Sequence, residues 1–235
     1  MNTALVTGAS SGIGAAICRM LLEDGYQICG IGRNFNKVSD LTKNTNFFPF
    51  SFDLTDSKHL ISNLFELKKN YSFSLLINCA GVGYFGPHEE LNPRKIHELV
   101  TVNLEVPMLL TNLFLRQLKQ NQGTIVMISS VTAQKTNTHG CAYGATKAGL
   151  SNFSFSLFEE VRKYGVRVIT LHPDITKSEF YRNSNFKEGQ SFDTYLFSEE
   201  IAQVLHTALT FRTGALLREI TIQPQKHQIQ RKSTD

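Results

Sequence analysis

A tyrosine and a lysine, Tyr143 and Lys147, stand four positions apart in a stretch whose apolar spacing predicts a helix over 142–163. Positions i and i+4 of a helix share a face, so phenol and ammonium would meet. A free tyrosine has a pKa of about 10 and keeps its proton at neutral pH. A nearby ammonium stabilises the phenolate and lowers that value, each unit being worth ~1.4 kcal/mol. Such a phenol can give a proton to a reacting oxygen or take one away. Alone, the pair would be a surface contact of little worth. A second cluster changes its weight. Thr7-Gly8-Ala9-Ser10-Ser11-Gly12-Ile13-Gly14 joins a predicted strand to a predicted helix. Gly8 allows a tight turn, and Gly12 and Gly14 carry no side chain, so backbone and a pyrophosphate can approach closely. The helix start adds free N–H groups and a positive dipole. No Lys-Ser/Thr pair follows the glycines, which excludes the phosphate loop of kinase-like phosphotransferases.

The second strand speaks to which dinucleotide binds. NAD sites place a carboxylate near the end of that strand for the ribose 2′-hydroxyl. Here Gly30-Ile31-Gly32-Arg33-Asn34 holds no Asp or Glu, and it holds Arg33. A guanidinium grips a 2′-phosphate through paired hydrogen bonds, where a carboxylate would repel it. The expected cofactor is NADP(H). The plainer alternative is that Arg33 is a solvated loop cation.

These groups need a frame. Short apolar runs predict strands over 3–7, 27–31, 47–52, 74–79, 124–129, 166–171 and 219–222. Longer amphipathic stretches predict helices over 12–23, 36–42, 56–69 (capped by Asp53 or Thr55), 93–120 (capped by Asn92), 142–163 and 198–211 (capped by Ser198). Strand and helix alternate throughout. The expected architecture is an α/β doubly wound parallel sheet, a Rossmann fold of about seven strands with helices on both faces. With 235 residues and no linker or repeat, one domain over 1–225 is expected, with a polar, loose C-terminal tail over 226–235. The irregular stretch 174–197 is expected to be a substrate lid.

In these motifs the chain resembles the short-chain dehydrogenase/reductase family over about residues 3–222. The glycine turn matches the family's T-G-x-x-x-G-x-G, and Tyr143-x-x-x-Lys147 its Y-x-x-x-K. Ser130 lies thirteen residues before Tyr143, a spacing typical of the family. Asp53-Leu54 matches its acidic pair, and Asn78-Cys79-Ala80-Gly81 its N-N-A-G with Cys in second place. Asn103 matches its helix asparagine. The resemblance implies an NADP-dependent oxidoreductase acting on CH–OH groups, with Asn103, Ser130, Tyr143 and Lys147 catalytic. It implies that Ser130 holds the substrate oxygen, that Lys147 holds the nicotinamide ribose, and that Tyr143 also touches the cofactor. Asp53 would lie near the adenine, and Leu54, Asn78, Ala80 and Gly81 would also touch the cofactor. The family's P-G-x-x-x-T reads Pro173-Asp174-Ile175-Thr176-Lys177-Ser178 here, which leaves Pro173, Ile175 and Ser178 as nicotinamide contacts and Asp174 in place of a glycine. Asp tolerates unusual backbone angles less well than Gly. Pro107, four residues after Asn103, removes the usual partner of the Asn103 carbonyl, which frees it for a water or simply kinks the helix.

His139 and His172, near the expected site, are read as structural, and Cys141 as a small buried filler rather than a nucleophile. Phe180, Tyr181, Phe186, Phe192, Tyr195 and Phe197, joined by Tyr84 and Phe85, predict an apolar substrate mouth. Helices 93–120 and 142–163 are apolar nearly all round, which predicts a homodimer or homotetramer built on them. The net charge of +4 comes without a basic run interleaved with aromatics, so no nucleic-acid partner is expected. No apolar run reaching the ~18 residues of a membrane span, and no basic leader, were read in the chain, so a cytoplasmic protein without a membrane partner is expected. Two other functions compete: a non-catalytic NADP-binding regulator, which would be expected to lack the Tyr, Lys or Ser, and a 3-oxoacyl-carrier-protein reductase.

Overall fold

Apolar runs too short for helices pair side by side in the computed structural model, which describes residues 2–212 and 214–232. The strands are β1 (Thr3–Thr7), β2 (Gln27–Gly32), β3 (Phe47–Ser51), β4 (Leu75–Asn78), β5 (Thr124–Ile128), β6 (Arg167–Pro173), β7 (Phe186–Glu188), β8 (Glu219–Ile222) and β9 (Ile229–Arg231). Seven of them form one sheet in the order β3-β2-β1-β4-β5-β6-β8, every pair parallel. The central strands β1, β4 and β5 are buried along their whole length, which requires cover on both faces.

Helices α1 (Gly12–Glu23), α2 (Ser39–Thr42), α3 (Ser57–Asn70), α4 (Pro93–Val100), α5 (Val106–Gln120), α6 (Cys141–Val161) and α7 (Ser198–Thr210) supply that cover. One core joins α1 and α7 to one face through Ile17, Leu21, Ile201 and Leu205. The other joins α3, α5 and α6 through Leu64, Phe114 and Leu157. The doubly wound, seven-stranded fold is thus present. The strand order reverses between β1 and β4, and a crevice opens at the carboxyl ends of strands at such a point.

Several local expectations are corrected. α3 is capped by Asp56, whose carboxylate accepts from the N–H of Lys58 and His59, while the Asp53 carboxylate is occupied by the N–H and hydroxyl of Thr55. Ser198 is the first helical residue of α7 rather than its cap; the Glu200 carboxylate accepts from the Phe197 N–H at 2.8 Å. Asn92 does cap α4, accepting from the Lys95 N–H at 2.9 Å. The single helix expected from there to Gln120 is interrupted by a π turn at Thr101–Glu105, just before Pro107. A proline lacks the N–H that a regular turn would use, and the wider turn absorbs the fault.

The continuous run Pro93–Gln120 is, by length and composition, apolar enough to cross a membrane, contrary to the sequence expectation. Its Val106, Leu110, Phe114 and Leu118, however, share one face packed into the core against the sheet. The C-terminal segment carries a strand of its own. β9 pairs antiparallel with β7 of the expected lid. Residues 233–235 of the expected tail lie outside the described residues.

Candidate active site

The turn after β1 occupies the switch point. Gly8 has a left-handed φ of +70°. Gly14 has no room for a side chain, since a Cβ there would lie 2.2 Å from the Gly8 carbonyl oxygen. Ser11, the N-cap of α1, makes no side-chain cap, and the first turn of α1 holds no acidic residue. The first N–H groups of a helix have no partner inside it, so these are left for an anion. Thr7 Oγ1 accepts from the N–H of Cys79 and of Ala80, both at 3.0 Å, and so ties the loop after β4 to this turn.

A cleft of about 1260 Å³, counting its open mouth, runs from this turn across the sheet edge. Its lining takes in Gly8, Ser10, Ser11, Gly12, Ile13, Gly14, Arg33, Asp53, Leu54, Ala80 and Gly81 together with Ser130, Tyr143, Lys147, Pro173 and Ser178. Arg33 is exposed at the rim. The fit to a phosphate-rich dinucleotide is good: an uncapped helix start, a side-chain-free turn and a rim guanidinium lie along one continuous groove.

Tyr143 and Lys147 sit on α6, and Ser130 follows β5. All three are buried. The Ser130 side chain favours the charged form of the Tyr143 phenol. Ser130 Oγ accepts from Thr132 N and Thr132 Oγ1, at 3.2 and 3.0 Å. Lys147 Nζ lies 5.9 Å from the Tyr143 ring centre and donates to the Ile128 carbonyl at 2.8 Å. Burial pushes the Tyr143 phenol up to about 12, with Ser130 pulling it partly back. The sequence reading had the ammonium lowering it; here desolvation wins. Burial also lowers Lys147 to about 8. The phenol therefore holds its proton at neutral pH while the ammonium remains largely charged.

Asn103 is fully buried beside this group. Its Oδ1 accepts from the Val82 N–H and its Nδ2 donates to the Val82 carbonyl, each at 2.9 Å, and Nδ2 reaches Thr146 Oγ1 at 3.2 Å. It pins the loop after β4, and its side chain is not among those lining the cleft. Asn78 and Ile175 are off the cleft too. Asn78 turns into the sheet, with Nδ2 3.3 Å from Met127 Sδ. Ile175 is buried, its N–H bonded to Asp174 Oδ1.

Asp174 has no left-handed backbone, so no glycine is required there. Its carboxylate is bonded by Gln223 and by its neighbour Ile175 and lies 3.7 Å from Lys135 Nζ. His139, exposed, has a φ of +61° and accepts through its carbonyl from the Gly86 N–H. Cys141 is exposed rather than buried, since it opens α6 at the surface with its Sγ 3.4 Å from His88 Nδ1. His172 is buried on β6, with Nδ1 3.1 Å from the Ser130 carbonyl. Its Nε2 is at ion-pair distance, 3.1 Å, from Glu219, but lacks hydrogen-bond geometry.

Sequence reasoning missed Thr7 and Thr176. Thr7 opens the glycine motif, and its buried hydroxyl between two strand ends was the available signal. Thr176 lines the cleft where Ile175 was expected. Around Tyr143 stand Phe85 and Phe180, with ring centres at 5.3 and 5.7 Å. Tyr181 and Phe186 pack against them in turn. Phe192, 76% exposed, and Phe197 stand away from this box.

A family model described as short chain dehydrogenase matches residues 2–189. A probable NADP-dependent dehydrogenase of Haemophilus influenzae is 30% identical over 190 residues, 79% of this chain and 75% of that protein. A 3-oxoacyl-[acyl-carrier-protein] reductase of Buchnera aphidicola is 31% identical over 188 residues, 78% of this chain and 77% of that protein. Among solved structures, an alcohol dehydrogenase from the archaeon Thermococcus sibiricus, complexed with 5-hydroxy-NADP, superposes with a TM-score of 0.86. That structure is 25% identical and covers 97% of this chain and 99% of its own.

Proposed function

Since the chain belongs to the short-chain dehydrogenase family, we propose that it is an NADP(H)-dependent oxidoreductase interconverting a carbonyl and a secondary alcohol. The observation that carries this reading is the buried Ser130–Tyr143–Lys147 group at the end of the cleft that starts at the glycine turn. The NADP-dependent relative and the NADP-complexed structural neighbour support the cofactor. Bound NADPH would supply the hydride.

The chain's own residues do the rest. The N–H groups of the first turn of α1 receive the pyrophosphate, and Arg33 receives the 2′-phosphate. Asp53 and Leu54 flank the adenine end, and Ala80, Gly81, Pro173 and Ser178 line the nicotinamide end. Ser130 donates to the substrate oxygen and fixes it beside Tyr143. In reduction Tyr143 gives its proton to that oxygen as negative charge develops; in oxidation it takes the proton back. The Lys147 ammonium eases the departure of that proton by stabilising phenolate character, and Asn103 positions the loop above it. The box of Phe85, Phe180, Tyr181 and Phe186 favours an apolar substrate. The reading extends to a single-domain cytoplasmic enzyme working as a homodimer or homotetramer, since a groove lined by Val100, Leu104, Met108, Leu109 and Phe153 lies open between α4, α5 and α6.

The Buchnera relative favours 3-oxoacyl-carrier-protein reduction as a second reading within the same chemistry. One assay tests both. Protein is mixed with NADPH or NADH and a panel of ketones, aldehydes and β-keto thioesters, and loss of nicotinamide absorbance is followed. NADPH-dependent turnover is expected, and preference for the thioesters selects the second reading. Tight NADPH binding without turnover anywhere in the panel overturns both in favour of a non-catalytic regulator.

A further inference from the structure

We propose that residues 226–232 form a strap that builds one wall of the substrate mouth by pinning the lid over Tyr143. Two strands alone are marginal in water. The β7–β9 ladder has only three rungs, Phe186 with Arg231, Lys187 with Gln230 and Glu188 with Ile229. Charged clamps hold it at both ends. At one, the Lys226 ammonium meets the Asp193 carboxylate at 2.7 Å, while its backbone N–H donates to the Asp193 carbonyl at 2.8 Å. At the other, the Lys232 N–H donates to the Asn185 carbonyl at 2.8 Å. The Lys232 ammonium donates to the carbonyls of Tyr181 and Arg182, at 2.6 and 3.2 Å.

Those two carbonyls belong to the 3₁₀ turn Glu179–Asn183, which carries Phe180 and Tyr181. The cation adds a charged donor at the end of that turn, where the Tyr181 carbonyl also accepts from the N–H and hydroxyl of Ser184. The strap thus fixes both the strand that presents Phe186 and the turn that presents Tyr181. The Phe186 ring packs on Phe85 at 5.2 Å and on Tyr181 at 5.3 Å. Phe85 packs directly on Tyr143. A series of ring contacts therefore leads to the phenol from Phe186, on the strand with which the C-terminal segment pairs. Lys226 and Lys232 touch none of the reacting groups and are positioning residues.

The strap's part in substrate binding rests on the function proposed above; its grip on the lid does not, and the test separates the two. Three forms are compared after circular dichroism shows that each is folded: the full chain, the Lys226→Met/Lys232→Met double variant, and a chain ending at Gln225. Amide hydrogen exchange over residues 178–188, read without cofactor, should quicken about tenfold in both altered forms, the scale of one or two lost hydrogen bonds. With a turned-over ketone, KM should rise by a similar factor while kcat changes less than about threefold, as expected for lost binding common to ground and transition states. Unchanged lid exchange in the folded double variant overturns the strap. Faster exchange with unchanged KM overturns its place in the substrate wall. Absence of turnover in the full chain counts against the proposed function, and lid exchange still decides the strap.

Discussion

Tyr143 and Lys147 titrate in opposite directions because the same burial disfavours the charged form of each. For Lys147 the native pKa of about 8 lies below the ordinary 10.5. Between these values the unfolded chain binds the extra proton, so this group makes stability rise with pH. For Tyr143, raised from 10.0 to about 12, the native state holds the extra proton in that range and stability falls. The Lys147 effect therefore stands clear between about pH 8 and pH 10. Lys147→Met should flatten a melting-temperature profile across that window while abolishing turnover. In the native enzyme, the reduction rate should decline as pH rises through about 8 and the ammonium discharges, measured as kcat against pH. Arg33→Ala should weaken NADPH binding by roughly 10- to 150-fold, the worth of a hydrogen bond to a charged group, and leave NADH binding unchanged in a fluorescence titration. That Tyr143 and Lys147 share a face was legible in the sequence, because i and i+4 spacing on a helix puts them there. The phenol's shift was not, because it depends on Phe85 and Phe180 closing over the ring from distant segments. Asn78 shows a related limit. A motif fixes the position of a residue, but the strand pleat decides which way its side chain points.

Among the elements, the glycine turn was the most readable, since Gly8 and Gly14 answer to backbone geometry set within a few residues. Gly14→Ala should cost about 1–3 kcal/mol in denaturant unfolding, the usual penalty of overpacking, because its Cβ would meet the Gly8 carbonyl at 2.2 Å. It should also weaken NADPH binding. The caps of α3 and α7 were misplaced by one to three positions because adjacent candidates compete, and Thr55 takes the carboxylate of Asp53 first. The pairing of β7 with β9 gave no local signal. Each strand has three residues, and their pairing joins segments some forty residues apart, so neither pattern nor turn chemistry announces it. The π turn at Thr101–Glu105 was visible only as Pro107, which marks a disturbance without stating its form.

For the whole molecule, alternation of strand and helix was enough to foresee the doubly wound sheet, and burial of both faces follows from its parallel order. The apolar groove between α4, α5 and α6 is the counterpart of the all-round apolarity read in those helices. Sedimentation should show a homodimer or homotetramer, and Met108→Asp with Phe153→Asp should shift it toward monomer without loss of helical content. The central claim, though, is that a buried phenol delivers the proton while the rest of the cleft holds the cofactor. Its most direct test is Tyr143→Phe, which keeps the ring in its aromatic box and removes only the hydroxyl. NADPH affinity should stay within about tenfold of the native chain, since at most one hydrogen bond to the cofactor is lost, while NADPH-dependent kcat should fall by about 10²- to 10⁴-fold, the range of general acid–base catalysis. A variant that binds NADPH and reduces the same carbonyl at the native rate would contradict the account.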